Sequence, residues 1–304
     1  MKIKTITGYS ANLDMNGIEQ NEYKSSFREY DFNQNLIKDY GFSDDGEIEF
    51  STDFVYNGRN QKMEQITGSS EDTVGERLEF RYNEEGELAQ LDTIYLDQSK
   101  SVEIYTRYGL NLSISLYDEN NIVYQAVTKR FDELGNLLEE ITHDELNKTT
   151  SRTVYLYNEK HLLFRSSEYN QLGEMLKEED YDYDMKGNLI KQETYDHRGK
   201  LLSSLEYRYN QNNDLIWQRI DDTYLYEVEY DDQNRKIREQ RTNTDNDVIE
   251  EYKLFGYNNR NLVSEEVSSN IGQKSFMGVF SYPTSDKIKT RFMYEFYEVS
   301  GEEE

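Results

Sequence analysis

The chain predicts an all-β fold: a long antiparallel meander of β-hairpins, curled into a spiral sheet, a half-shell or a barrel-like shell. Three observations predict it. A turn signature recurs in register, at steps of 12 and 14 residues that add to a double unit of 26. Between its copies, polar and apolar residues alternate with period two, and helical spacing is sustained nowhere. The composition is aromatic and poor in breakers of extended chain, with 27 Tyr and 13 Phe against one Pro.

The signature is a key residue, usually aromatic, followed by Asp or Asn, then by Gly or Asn at the fourth position after it. Copies centre first on Leu13, Tyr30, Phe42, Tyr56, Tyr82 and Tyr95. The clearest run follows at Tyr117, Phe131, His143, Tyr157, Tyr169, Tyr183, Tyr195 and Tyr209. The last copies are Tyr230, Thr242, Tyr257 and Tyr282. Asp or Asn follows the key residue in 15 of these 18 copies, and Gly or Asn fills the fourth position in 14. An Asx side chain bonds to nearby backbone at the start of a turn, and Gly or Asn tolerates positive φ. Together they specify a three-residue hairpin loop, a type I turn closed by a left-handed residue and a bulge. Gln34 and Ser99 stand in that column without the usual chemistry. Eighteen turns imply about nineteen strands.

The strands read the same way. In Leu201–Asn210 the odd positions are Leu, Ser, Leu, Tyr and Tyr, while the even ones are mostly polar. In Glu178–Asp184 tyrosines fall on one face and carboxylates on the other. The Tyr/Leu face is expected to form the core. No linker divides the chain, so residues 1–299 read as a single domain and 300–304 as a flexible acidic tail.

The units Phe131-Asp132-x-x-Gly135, Tyr183-Asp184-x-x-Gly187 and Tyr195-Asp196-x-x-Gly199 resemble YD repeats, which build Rhs-type, TcC and teneurin shells. The resemblance implies stacked hairpins whose tyrosines line a curled wall; in the large family members that wall encloses a toxic polypeptide. Three departures stand out. The double unit is longer, Asn often replaces Gly, and the Pro- and Asp-rich self-cleaving motif that ends Rhs shells is missing. They favour a small stand-alone relative. A weaker likeness is to MORN-like antitoxin and immunity proteins of bacteria.

Charge narrows the function. With 61 Asp plus Glu against 34 Lys plus Arg, the net charge is −27. This disfavours nucleic acid or an anionic membrane surface as partner and suits a basic protein. The absence of cysteine excludes disulfides and cysteine–zinc sites. The N-terminal stretch MKIKTITGYSANLDMNG lacks an apolar run, so the expectation is a cytoplasmic protein without a signal peptide.

No nucleotide-binding glycine loop or nucleophile elbow is present. Asp180, Asp182 and Asp184 invite a calcium reading, but Met185 and Lys191 stand where a calcium loop needs Gly and Glu. His143, His161 and His197 each fit a turn and share no ligand spacing. The pairs Asp221-Asp222 and Asp231-Asp232 and the terminal Glu302–Glu304 fit solvated faces better than glycoside hydrolysis. No catalytic, cofactor or metal residue is therefore assigned. Aromatics cluster at Trp217, Tyr224, Tyr226 and Tyr230, where the spacing breaks, and Trp and Tyr are common at binding hot spots. Inner-wall core is the competing reading there.

The candidate partner-binding residues are thus Trp217, Tyr224, Tyr226, Asp221, Asp222, Asp180 and Asp182. The expected function is a non-enzymatic module that holds a basic toxin or effector, in the manner of an immunity, antitoxin or chaperone-like protein. The alternatives are a carbohydrate- or surface-binding module, a structural shell fragment of an Rhs-type toxin, and a hydrolase. Exposed terminal strands would let two copies pair edge to edge.

Overall fold

The computed structural model describes residues 1–14, 16–69, 75–276 and 280–298. The acidic tail expected at 300–304, with Glu302–Glu304, lies outside them. Twenty-two strands form an antiparallel sheet, and no helix is present among the described residues. The chain divides into two compact units. One comprises Met1–Glu79, Tyr95–Asp97 and Val228–Glu304; the other comprises Phe80–Ile94 and Gln98–Glu227.

The hairpin turns follow the predicted chemistry closely. In the turn after Tyr183, the Gly187 N–H donates to the Asp184 carbonyl at 3.1 Å, and the Asp184 N–H donates to the Asn188 carbonyl at 2.9 Å. Asp184 Oδ1 accepts the Lys186 and Asn188 N–H groups at 2.8 and 2.9 Å. The side-chain amide of Asn188 donates to its other oxygen at 3.0 Å. These donors hold the Asp184 carboxyl below its ordinary range. Gly187 has φ 91°, and a one-residue register shift follows at Tyr183. The left-handed residue falls where the signature places it in fifteen of eighteen copies, including Gln34 and His161; Ser99, Asn246 and Asp286 are the exceptions.

A Cβ on Gly187 would meet only Leu162 at 3.7 Å, so the cost of substitution there lies in the backbone. Gly187→Val should lower stability by about 1–2 kcal/mol in urea denaturation. Gly187→Asn should cost clearly less, because Asn213 holds the same conformation with φ 68°. Equal losses for the two variants would contradict this account of the turn.

The expected count of about nineteen strands is corrected to twenty-two. Four reversals were missed because none carries the signature. Strands Lys62–Ser69 and Arg77–Tyr82 pair antiparallel. Tyr108 opposes Asn111 across a two-residue turn with Gly109 at φ 57°. Ile220 opposes Tyr224 across Asp221–Thr223, with Asp221 at φ 50°. Strand Val263–Phe276 pairs with Phe280–Phe296. The turn expected at Tyr282 does not exist, for that last strand runs through it. Two further turns close one residue away from the forecast, with Gln98 and Asp247 left-handed in place of Ser99 and Asn246.

Strand Ile3–Leu13 pairs with Glu19–Tyr30 on one side and with Phe280–Phe296 on the other. Both pairings lie inside the first unit. The first and last strands of the chain are thus hydrogen-bonded neighbours.

The Tyr/Leu face expected to form the core is only partly buried. Among the described residues the buried apolar side chains are Ala11 and Val228 alone, whereas Thr5, Ser10, Asp92, Ser166, Ser167, Thr242 and Ser269 are buried polar ones. Many tyrosines are half-buried, and several of their hydroxyls find fixed partners. Tyr157, Tyr183 and Tyr209 donate to the carbonyls of Leu137, Leu163 and Leu189 at 2.9, 2.7 and 2.9 Å. Each bond ties a strand end to the strand start 20 residues earlier, beside the preceding turn on the same side of the sheet. The turns also touch. Asn213 Oδ1 accepts from the Asn188 amide and the Lys186 ammonium, both at 3.2 Å, and Asn60 Oδ1 accepts from the Asn33 and Asn35 amides.

Candidate partner-binding surface

Strand alternation sorts the side chains of the second unit onto two faces. One carries Tyr155, Tyr157, Tyr181, Tyr183, Tyr207 and Tyr209, with Ser166, Glu179 and Thr194 directly across from one another. The other carries Arg152, Arg165, Asp180, Glu193 and also Tyr169 and Tyr195. The key aromatics of successive turns therefore lie on opposite faces, which is why the repeat closes only after two hairpins.

The tyrosine face pairs phenols with carboxylates. Tyr181 donates to Glu179 at 2.6 Å, and Lys177 holds the same carboxylate at 2.8 Å. Tyr105 donates to Glu103 in the same way, and within the first unit Tyr40 donates to Asp53 at 2.9 and 3.0 Å. Burial, then the neighbouring carboxylate, pushes Tyr40 and Tyr181 up to about 12. Burial also raises Glu179, but the Lys177 and Tyr181 donors outweigh it and its pKa is lowered. Sequence reading missed these pairs, although Glu103-x-Tyr105 and Glu179-x-Tyr181 signal same-face neighbours on a strand.

The opposite face is a lattice of ion pairs. Arg165 grips Asp180 through two hydrogen bonds at 2.6 and 2.9 Å and also meets Glu178. Arg152 and Arg130 share Glu139, which they hold below its ordinary range. Asp182 sits exposed on this face, across from Lys191. Asp180, Asp182 and Asp184 thus have three different settings: an arginine clamp, an open strand end and a turn. Among the described residues no group of three or more acidic or histidine side chains is placed to hold a metal ion.

The aromatic cluster is split in the same way. Trp217 lies across from Arg208, whose guanidinium stacks 4.1 Å over its ring, on the ion-pair face. Tyr224 and Tyr226 lie across from Ile220 and Gln218, on the tyrosine face. Trp217 is therefore not part of one patch with those tyrosines.

Asp221 and Asp222 occupy the short turn that follows. Asp221 Oδ1 accepts the Ser204 N–H at 2.6 Å, while the Asp221 N–H donates to the Ser204 carbonyl at 2.7 Å. Asp222 pairs with Arg219 at 2.6 Å. These two acids border an open groove of about 420 Å³ with Leu201, Leu202, Glu206 and Arg219. Of the seven residues singled out from sequence, Asp221 and Asp222 come together at this concave feature.

No family model matches the chain, and no curated protein matches it. Solved structures do. The chain is similar to the Photorhabdus luminescens Tc holotoxin pore, at 13% identity and a TM-score of 0.32 over 91% of this chain and 18% of that one. It is similar to the TcdB2-TccC3 complex at 13% identity and a TM-score of 0.31, covering 87% and 19%. It is also similar to a porin-like protein from Bacteroides uniformis, at 11% identity and a TM-score of 0.35, covering 96% and 98%. The chain spans less than a fifth of the length of those toxin chains.

Proposed function

We propose that this hairpin-repeat module is a non-catalytic scaffold that holds a basic polypeptide, as an immunity, antitoxin or chaperone-like protein holds its client. The carrying observation is how the charge is distributed. The chain has 27 more acidic than basic residues, and many of its cations are already engaged within it. Arg28, Arg77, Arg152, Arg165, Arg235 and Arg241 all sit against carboxylates. The surplus acid is left to face the surroundings, where it draws in a cationic partner and speeds encounter. The same pattern supports a partner in water over lipid. Both faces carry charges, Arg165–Asp180 on one and Lys177–Glu179 on the other, and charge against lipid costs about 2–4 kcal/mol per group near the midplane.

The test is titration with polylysine and polyglutamate, followed by calorimetry. Polylysine should bind, and its affinity should fall about tenfold or more between about 50 and 300 mM salt. Polyglutamate should not bind. No heat with polylysine at the lower salt would refute the proposal.

A further inference from the structure

We propose that the groove beside the Asp221–Thr223 turn is where a short, extended, basic segment docks, lying along the end of strand Leu201–Tyr209. This rests on the function proposed above and gives it a location. Three features converge there. First, strand Leu201–Tyr209 is longer than its neighbour Leu215–Ile220, and their pairing stops at Leu205 opposite Ile220. Ser204 is satisfied by Asp221, so residues 201–203 overhang with no strand on that side. An overhang of this kind admits an added strand.

Second, the space is a real depression of about 420 Å³, and its apolar walls are uncovered: Leu201 is 45% exposed and Leu202 55%. The stem of a lysine or arginine can lie on such walls while its head reaches polar groups. Third, the charge matches. Glu206, Asp221 and Asp222 line the groove against a single lining cation, Arg219, which Asp222 already holds. A cationic side chain entering here meets a net negative lining, and an acidic one is repelled.

The probe is a short peptide of alternating lysine and valine, which favours extended structure. Its binding to the intact protein is measured by fluorescence anisotropy beside that of polylysine. Leu202→Lys places a cation on the exposed wall, and Asp222→Lys reverses charge at the rim; each should weaken the peptide about tenfold. Asp232→Lys changes net charge by the same amount at an exposed turn elsewhere and should change affinity less than about threefold. Thermal melts confirm that each variant is folded, and the Leu202 amide, which like that of Ser204 points to the open side, should gain protection from hydrogen exchange when the peptide is present. If Asp222→Lys and Asp232→Lys weaken binding equally, the groove is overturned while general attraction of basic chains stands. If wild-type protein binds neither peptide nor polylysine, both proposals fall.

Discussion

Raising the pH through the range from about 10 to 12 should unfold this protein cooperatively, with phenolic protons released in the same step. The reason is the tyrosine face of the second unit. Tyr181 is raised to about 12, and Tyr155, Tyr157, Tyr183, Tyr207 and Tyr209 are raised as well, all chiefly by burial; in the first unit burial raises Tyr40 to about 12 too. A phenol whose folded pKa exceeds its unfolded one is neutral in the fold by preference. Its contribution is intact below about pH 10 and is lost as pH rises toward the folded value. Many such groups lie side by side, so ionising one strains its neighbours. Tyrosinate absorbance and circular dichroism should therefore change together, above the ordinary tyrosine midpoint. Tyrosines titrating near pH 10 with the β-signal intact would contradict this reading.

Asp92→Ala should be the most damaging single substitution, costing about 3 kcal/mol. Asp92 is fully buried, and its carboxylate takes donors from Lys100 at 2.8 Å, Arg81 at 2.9 Å and Gln90 at 2.7 Å. Burial raises its pKa, yet the Lys100 and Gln90 hydrogen bonds and the two cations more than offset this, so the acid stays ionised. Removing it leaves two cations without their anion. Both are about half-exposed and can turn toward water, which keeps the loss at the low end for a broken buried pair. The melting temperature should fall by about 6–12 °C. Replacing all three charges together, Asp92→Leu with Arg81→Met and Lys100→Met, should recover much of that loss. A melting temperature for Asp92→Ala within about 2 °C of wild type would show that the cluster contributes little.

Turns were far more legible than packing. A turn is written locally: Asp184 and Gly187 hold everything their hairpin needs within five residues. Reversals built without an Asx residue in register, such as Gly109-Leu110 and Asp221–Thr223, gave no periodic signal, so strands were undercounted. The place of Trp217 depended on strand parity across a bulge, and each bulge resets which face a residue takes. The 12-and-14 alternation already held the clue that neighbouring turns differ. A polar interior could not be read from hydrophobic patterning, because Ser166, Ser167 and Asp92 meet their polar partners only once neighbouring strands are paired in register. The overhang beside Leu202 likewise arises from a difference in length between two strands, visible only once their register is known.

The pairing of Ile3–Leu13 with Phe280–Phe296 bears on how the chain is made. The ribosome delivers one of these strands well before the other, about 15–60 seconds apart at ordinary elongation rates. Throughout that interval the nascent N-terminal strand has one unzipped border, open to wrong partners on crowded polysomes. Such distant closure means high contact order and slow maturation, so the vulnerable period of this molecule is its birth rather than its working life.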